Sequence, residues 1–478
     1  MKFREYDQWD AVEMSELVHA KAISPTELLE SAIETIETRN PAINAVTTKT
    51  YDEARAQIAK GLGDGPLAGV PLLLKDLAIQ YKGVVTSAGS RLCADAVADH
   101  HSTLTQRYMQ AGAVILGKSN SPEFGVSGST ESELLGPCKN PWDTSRSAGG
   151  SSGGAAAAVA ARLTPVAHAS DAGGSIRNPS SVCGVFGLKT TRARTPLGPL
   201  ISEGSGGLSI QHVITRSVRD SAAFLDASAG PATGDAYTAP GTNGFLKALA
   251  SPLTRKLRIA VHTEPYHNVA IDHSCIEAVQ QTAKLCESLG HIVEEGQPDI
   301  NGDEEMAVNS VLWSVNLANT AKSLFAAKGI APSPQYMEKN TWNMVELGLA
   351  TSGTDYIQAV QKMHRTSRKI AALFETYDVV LSPVLSRPAW KLGTYEAGCD
   401  DVAAYFRRIF DHSPFCWPYN MSGQPAMSVP MHWNDGGLPV GVQFAGRYGD
   451  EKTLLLLAAQ LEQAQPWAHR APDLVLNS

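Results

Sequence analysis

Short apolar runs and amphipathic stretches alternate along almost the whole chain. GVPLLLKD (69–76) and AVILGKSN (113–120) each read as a buried strand ending on polar residues. FGLKTT (186–191), LRIAVH (257–262), YDVVLSP (377–383), AMSVP (426–430) and LPVGVQFAG (438–446) read as further strands. Helical periodicity appears at 102–110, 217–228, 272–289, 303–327, 354–376 and 450–463. The clearest helix start is ISPTELLESAIETIETRN. Ser24 is placed as N-cap, Pro25 as N1 and Glu27 as the capping-box partner, with Ile23 and Leu28 spaced as a staple. Near-continuous apolar strands between helices predict an α/β domain whose mixed, mostly parallel sheet is covered on both faces.

No repeat period and no low-complexity linker divides the 478 residues, so a single domain is expected. Within it, N-terminal helices span 10–60, a core spans about 66–230, and a further part spans about 250–478. GPATGDAYTAPGTNG (230–244) reads as a surface loop. Hydrophobic content of 43% supports a large core, and the longest apolar run, Ala155 to Ala161, is too short to span a bilayer. The start MKFREYDQWD has early charges and no apolar region of signal-peptide type. Seven scattered cysteines without a CxxC pair suggest neither a disulfide framework nor a zinc site, and fit reduced thiols in a cytoplasm. The net charge of −8, with no lysine or arginine run, argues against nucleic acid and anionic membrane as partners.

The unusual chemistry lies at AGGSSGGAAAA (148–158), where glycine and serine run directly into alanine. A mobile loop is one reading. A phosphate loop is another, but the GK[ST] ending and GxGxxG spacing are both missing. The third reading is nucleophilic catalysis, because a second dense motif follows at HASDAGGSIRNPSSVCGVFGLKTT (168–191). Its AGGS places glycines before Ser175, where unobstructed backbone N–H groups can meet a developing oxyanion. Among the thirteen histidines none lies in a triad signature, and His100, His101 and His168 read as surface or structural residues. Lys75 ends a buried strand. It is either snorkelling to water or desolvated until it can serve as a base.

GVPLLLKD, GKSNSPEF, NPWDTSRSAGGSSGG and SDAGGSIRNPSSVCGVFGLKTT together resemble the amidase signature family. YDVVLSPV, NMSGQPAMSVP and LPVGVQFAGRYGDE resemble its C-terminal pattern, so the likeness covers nearly the whole chain. TPVAHASD, where most of the family has GTD, is most similar to its bacterial branch of the 6-aminohexanoate cyclic dimer hydrolase kind. The resemblance implies an amidase in which Lys75 is the base, Ser151 a bridging serine after a cis peptide bond, and Ser175 the nucleophile. It implies an oxyanion hole from the N–H groups of Ala172, Gly173, Gly174 and Ser175. It also implies an acyl-enzyme route that needs no metal or organic cofactor.

Asn120, Glu123, Asp171 and Arg177 are expected to brace the site, with a carboxylate clamp the alternative for Arg177. The family places Gly125, Val126 and Ser127 along the substrate pocket. Less regular segments expected there are 197–212, the helix around Trp313, and HSPFCWPY (412–419). The apolar bulk of Val126 and Trp313 suggests a hydrophobic or aryl amide or carbamate, although core packing explains Trp313 equally well. Homodimer formation is left open. A glutamine-hydrolysing subunit of a tRNA-dependent amidotransferase is the alternative activity, and a non-enzymatic homologue is disfavoured by the intact lysine and serines. A lysine depressed by about two pH units would leave activity still rising above pH 7.5.

Overall fold

Strand β2 (Pro71–Lys75) is the element from which the rest is arranged. A computed structural model describes residues 5–241, 243–395, 398–399 and 401–476. All five residues of β2 are buried. Its side chains alternate as a pleated strand requires. Leu73 joins one core cluster, with the alanines of helix Gly153–Ala160, while Leu72 and Leu74 join another, with Leu104, Tyr108 and Phe224. Lys75 is in phase with Leu73 and so follows it toward the alanine helix.

In chain order the main sheet comprises β1 (Val46–Lys49), β2, β3 (Val114–Ser119), β4 (Val166–Asp171), β5 (Phe186–Lys189), β6 (Ile210–Thr215), β7 (Arg258–Val261), β8 (Ile292–Glu295), β9 (Val379–Pro383), β10 (Ala426–Trp433) and β11 (Pro439–Gly446). Its spatial order is β1-β3-β2-β4-β6-β5-β10-β11-β9-β7-β8. The single large α/β domain and its mixed sheet match expectation, but the expected balance of strand directions needs correcting. Six of the ten pairings are antiparallel, and the parallel ones are confined to β3-β2-β4 and β9-β7-β8. Strand direction depends on how the chain returns between strands, which apolar runs do not encode.

The second face of the sheet is covered by helices Val218–Ser228, His273–Ser288 and Glu451–Ala464, whose apolar stripes join β10 and β11 in a common cluster. The capping box forms as predicted: Ser24 Oγ accepts the Glu27 N–H, and the Glu27 carboxylate accepts the Ser24 N–H. All seven cysteines are unpaired. Among the described residues no helix is long and apolar enough to cross a membrane.

Parallel strands β2, β3 and β4 end side by side, with Lys75, Ser119 and Asp171 as their last residues. In α/β sheets the crevice beyond such carboxyl ends is the usual ligand position. The glycine-rich segments 148–154 and 172–176 cross this edge.

Candidate active site

AGGSSGG is a tightly packed corner in the structure, not a linker. A methyl group on Gly150 would lie 2.6 Å from the Gly128 carbonyl carbon, and one on Gly154 would lie 2.3 Å from the Asn120 nitrogen. Only glycine allows backbones this close. The Gly150–Ser151 peptide bond is cis. The segment then enters helix Gly153–Ala160, every residue of which is buried. Asn120 ties this corner to the first strand: its side-chain amide donates to the carbonyls of Asn44 and Gly136, and its own carbonyl accepts the Gly154 N–H.

Lys75 is fully buried, and its Nζ lies 2.7 Å from Ser151 Oγ, 3.0 Å from Ser152 Oγ and 3.0 Å from Ser170 Oγ. Burial pushes its ammonium down from the ordinary 10.5 to about 7, with the Asp171 carboxylate pulling weakly the other way. Its place at the N-terminal end of helix Gly153–Ala160 also disfavours a cation. Proton loss therefore falls lower than a two-unit depression would place it.

Two other lysines are buried, but their surroundings differ. Lys118 Nζ donates to the Ile79 carbonyl and Thr86 Oγ1, and Lys189 Nζ donates to the Thr190 carbonyl. Burial also depresses both. Lys75 alone of the three is surrounded only by hydroxyl groups, which can pass a proton on as carbonyls cannot.

Asp171 shapes the second glycine segment. Its carboxylate accepts the N–H groups of Gly174 at 2.8 Å and Ile176 at 3.1 Å. Burial alone would raise this carboxyl, but the Arg177 guanidinium holds it well below the usual carboxylate range. Arg177 is itself buried, and all five of its N–H donors are engaged: twice by Asp171, and once each by Cys416 O, Gln443 Oε1 and Asn420 Oδ1. No donor is left for a substrate carboxylate, so Arg177 is a brace. Glu123 is one as well, accepting from Ser90 Oγ and the Glu338 N–H.

The same network corrects one of the four expected oxyanion donors. The Gly174 N–H points to Asp171 and is unavailable, whereas those of Ala172, Gly173 and Ser175 meet no protein acceptor among the described residues. Ser175 itself is only partly buried, at the start of the turn into helix Arg177–Cys183. That helix packs on the other corner, since a methyl on Gly149 would meet Pro179 Cα at 2.8 Å.

The expected pocket residues are partly brought together. A methyl on Gly125 would lie 3.1 Å from Ser151 Oγ, which places this backbone directly over the corner. Trp313 Cζ2 lies 2.6 Å from where a Gly173 side chain would begin. Val126, Ala172 and Trp313 are all partly buried against the same apolar cluster. Ser127 Oγ accepts the Ser129 N–H within its own loop. The 412–419 stretch holds the bracing network through Cys416 O and through Ser413 Oγ, which donates to Asn178 Oδ1.

Sequence reasoning missed Phe406 and Phe410, which pack on Trp313 at 6.1 and 6.2 Å between ring centres. Their helix, Val402–His412, carries apolar residues at 405, 406, 409 and 410, a pattern that could have revealed it. It also missed Ser152 and Ser170 beside Lys75. His168 is fully buried, with both ring nitrogens paired. His168 Nδ1 accepts the Lys75 N–H and its Nε2 bonds Gln211, while burial pushes it down to about 3.

A family model described as amidase matches residues 27–455. The 6-aminohexanoate-cyclic-dimer hydrolase of Paenarthrobacter ureafaciens is 37% identical over 482 residues, covering 98% of this chain and 97% of that protein. A solved structure of a 6-aminohexanoate cyclic dimer hydrolase with its substrate superposes with a TM-score of 0.94. Its identity is 36%, over 98% of this chain and 99% of that one. A solved bacterial aryl acylamidase of the amidase signature enzymes gives a TM-score of 0.88 at 28% identity, over 96% and 97% of the two chains.

Proposed function

Because the chain belongs to the amidase family, whose members hydrolyse carbon–nitrogen bonds other than peptide bonds, we propose that it cleaves a small hydrophobic or aryl amide or carbamate through an acyl-enzyme on Ser175. The observation that carries this reading is Lys75: buried, depressed to about 7, and surrounded by serine hydroxyls with Ser151 nearest at 2.7 Å. A neutral amine has two N–H donors and one lone pair. Ser152 Oγ donates to the Ser170 carbonyl at 3.2 Å, so its proton is committed elsewhere. Of the two remaining hydroxyls Ser151 is the nearer, at 2.7 Å against 3.0 Å for Ser170, and in this reading the lone pair takes its proton from Ser151.

Ser151 in turn takes the proton of Ser175 as the Ser175 oxygen attacks the carbonyl carbon. The negative oxygen of the tetrahedral intermediate is held by the N–H groups of Ala172, Gly173 and Ser175. The proton returns through Ser151 to the nitrogen as the carbon–nitrogen bond breaks, releasing the amine. Water, deprotonated along the same path, then attacks the ester and frees the acid and Ser175.

Trp313 beside Gly173, backed by Phe406 and Phe410, supports an apolar or aryl substrate, as does the likeness to an aryl acylamidase. The Trp313 Nε1–H is buried without a protein partner among the described residues, and it is a donor ready for a substrate oxygen. The test is a hydrolysis screen over aryl anilides, primary amides, carbamates and cyclic amides, run beside Ser175→Ala. Turnover of an aryl or other hydrophobic member, lost in Ser175→Ala with the fold retained, is expected. A Ser175→Ala enzyme retaining more than a few per cent of activity would exclude Ser175 as the nucleophile.

A further inference from the structure

A groove separate from this site concentrates positive charge in a chain whose formal charge is −8. It has two lobes of about 370 and 390 Å³ that share Arg387, Thr394 and His412. Arg407 and Arg408 line one lobe, and Arg146 and Lys391 line the other.

Most of these cations are engaged. Arg407 pairs with Asp303 and Asp411, at 2.9 and 2.8 Å. Arg146 pairs with Asp143 at 2.9 Å, and Lys391 reaches the same carboxylate only at 3.9 Å. Arg408 donates to the Thr394 carbonyl, a neutral group. The lining carboxylates are occupied too: Asp411 also faces His267, and Asp272 accepts the Ser274 N–H and hydroxyl at the start of its helix. Burial pushes His412 down to about 4, so it is neutral at pH 7.

Arg387 is different. It stands at the junction of the two lobes, is exposed, and has no ion-pair or hydrogen-bond partner among the described residues. A free guanidinium presents a planar fork of donors that fits two oxygens of a carboxylate or phosphate. A concave, low-dielectric wall with one dominant sign also focuses the field that draws such an anion in. Each lobe has the size of a small-molecule site, not of a macromolecular surface.

We infer that this groove binds a small oxyanion, a carboxylate or a phosphate, held bidentately by Arg387 and supported by Arg408. The site is independent of the hydrolytic reading, and its test reads binding, not turnover. The full chain is titrated calorimetrically at low ionic strength, once with inorganic phosphate and once with succinate. One saturable site is expected for at least one of them, with a dissociation constant of about 1 mM or below. The responding anion identifies which source the groove fits. Arg387→Ala should weaken binding at least about tenfold, and Arg387→Lys should not restore it, since an ammonium lacks the fork. Ser175→Ala should bind as the unaltered chain does, and so should Arg255→Ala, which removes an exposed cation elsewhere. Absence of saturable heat with both anions up to about 20 mM, or an unchanged affinity in Arg387→Ala, would overturn the site.

Discussion

Replacing Lys75 by Met should make the protein more stable at neutral pH while abolishing its activity. Lys75 loses its proton at about 7 in the folded chain instead of 10.5. Above pH 10.5 the lysine is neutral in both states and contributes nothing through protonation. Below that the unfolded chain takes up a proton which the folded chain refuses, and the cost to folding grows as pH falls, levelling off below about 7. At about 1.4 kcal/mol per pH unit the full cost is about 5 kcal/mol. Met fills a similar volume without titrating, but gives up three contacts to serine hydroxyls, worth about 1 kcal/mol each. At pH 6 Lys75→Met should therefore be more stable by about 2 kcal/mol. At pH 9 the remaining cost in the unaltered protein is only about 2 kcal/mol, so the variant should be less stable by about 1 kcal/mol. Urea unfolding of both proteins at pH 6, 7.5 and 9 reads this crossover. A stability difference that stays constant across that range would refute the reasoning.

Enlarging Val126 to Phe should reorder the substrates accepted rather than depress all of them equally, which competition assays on paired anilides would reveal. Trp313→Phe keeps the ring stacking but removes the indole N–H. It should lower kcat/KM by about tenfold for substrates with a second acceptor oxygen, and much less for those without one. Fluorophosphonate treatment followed by peptide mapping should place the adduct on Ser175, and Lys75→Met should suppress labelling.

Features written in local pattern were legible in the sequence. The capping box at Ser24, the strand ending on Lys75 and most helix bounds need only neighbouring residues, and all appear where expected. Strand β4 was hidden because His168, Ser170 and Asp171 break the apolar pattern, and each has a partner distant in sequence: Gln211, Lys75 and Asn420 respectively. The glycine motifs pointed to closely packed backbone with exposed amides, but not to which amides are free. Gly174 loses its N–H to a carboxylate three residues earlier, a turn geometry that composition does not reveal. The aromatic wall joins residue 313 to residues 406 and 410, and pairing across such a separation leaves no trace in one sequence.

The most direct measurement is kcat/KM on a neutral anilide from pH 5 to 10, for the unaltered enzyme and for Lys75→Arg. A base at about 7 should give a single rise centred near neutrality and a plateau above about pH 8. Lys75→Arg should be inactive, because a guanidinium does not give up its proton. A profile already flat from pH 5 would instead fit a buried histidine such as His168 or His412, held at about 3 and about 4. That profile, or an active Lys75→Arg enzyme, would contradict the Lys75–Ser151–Ser175 relay.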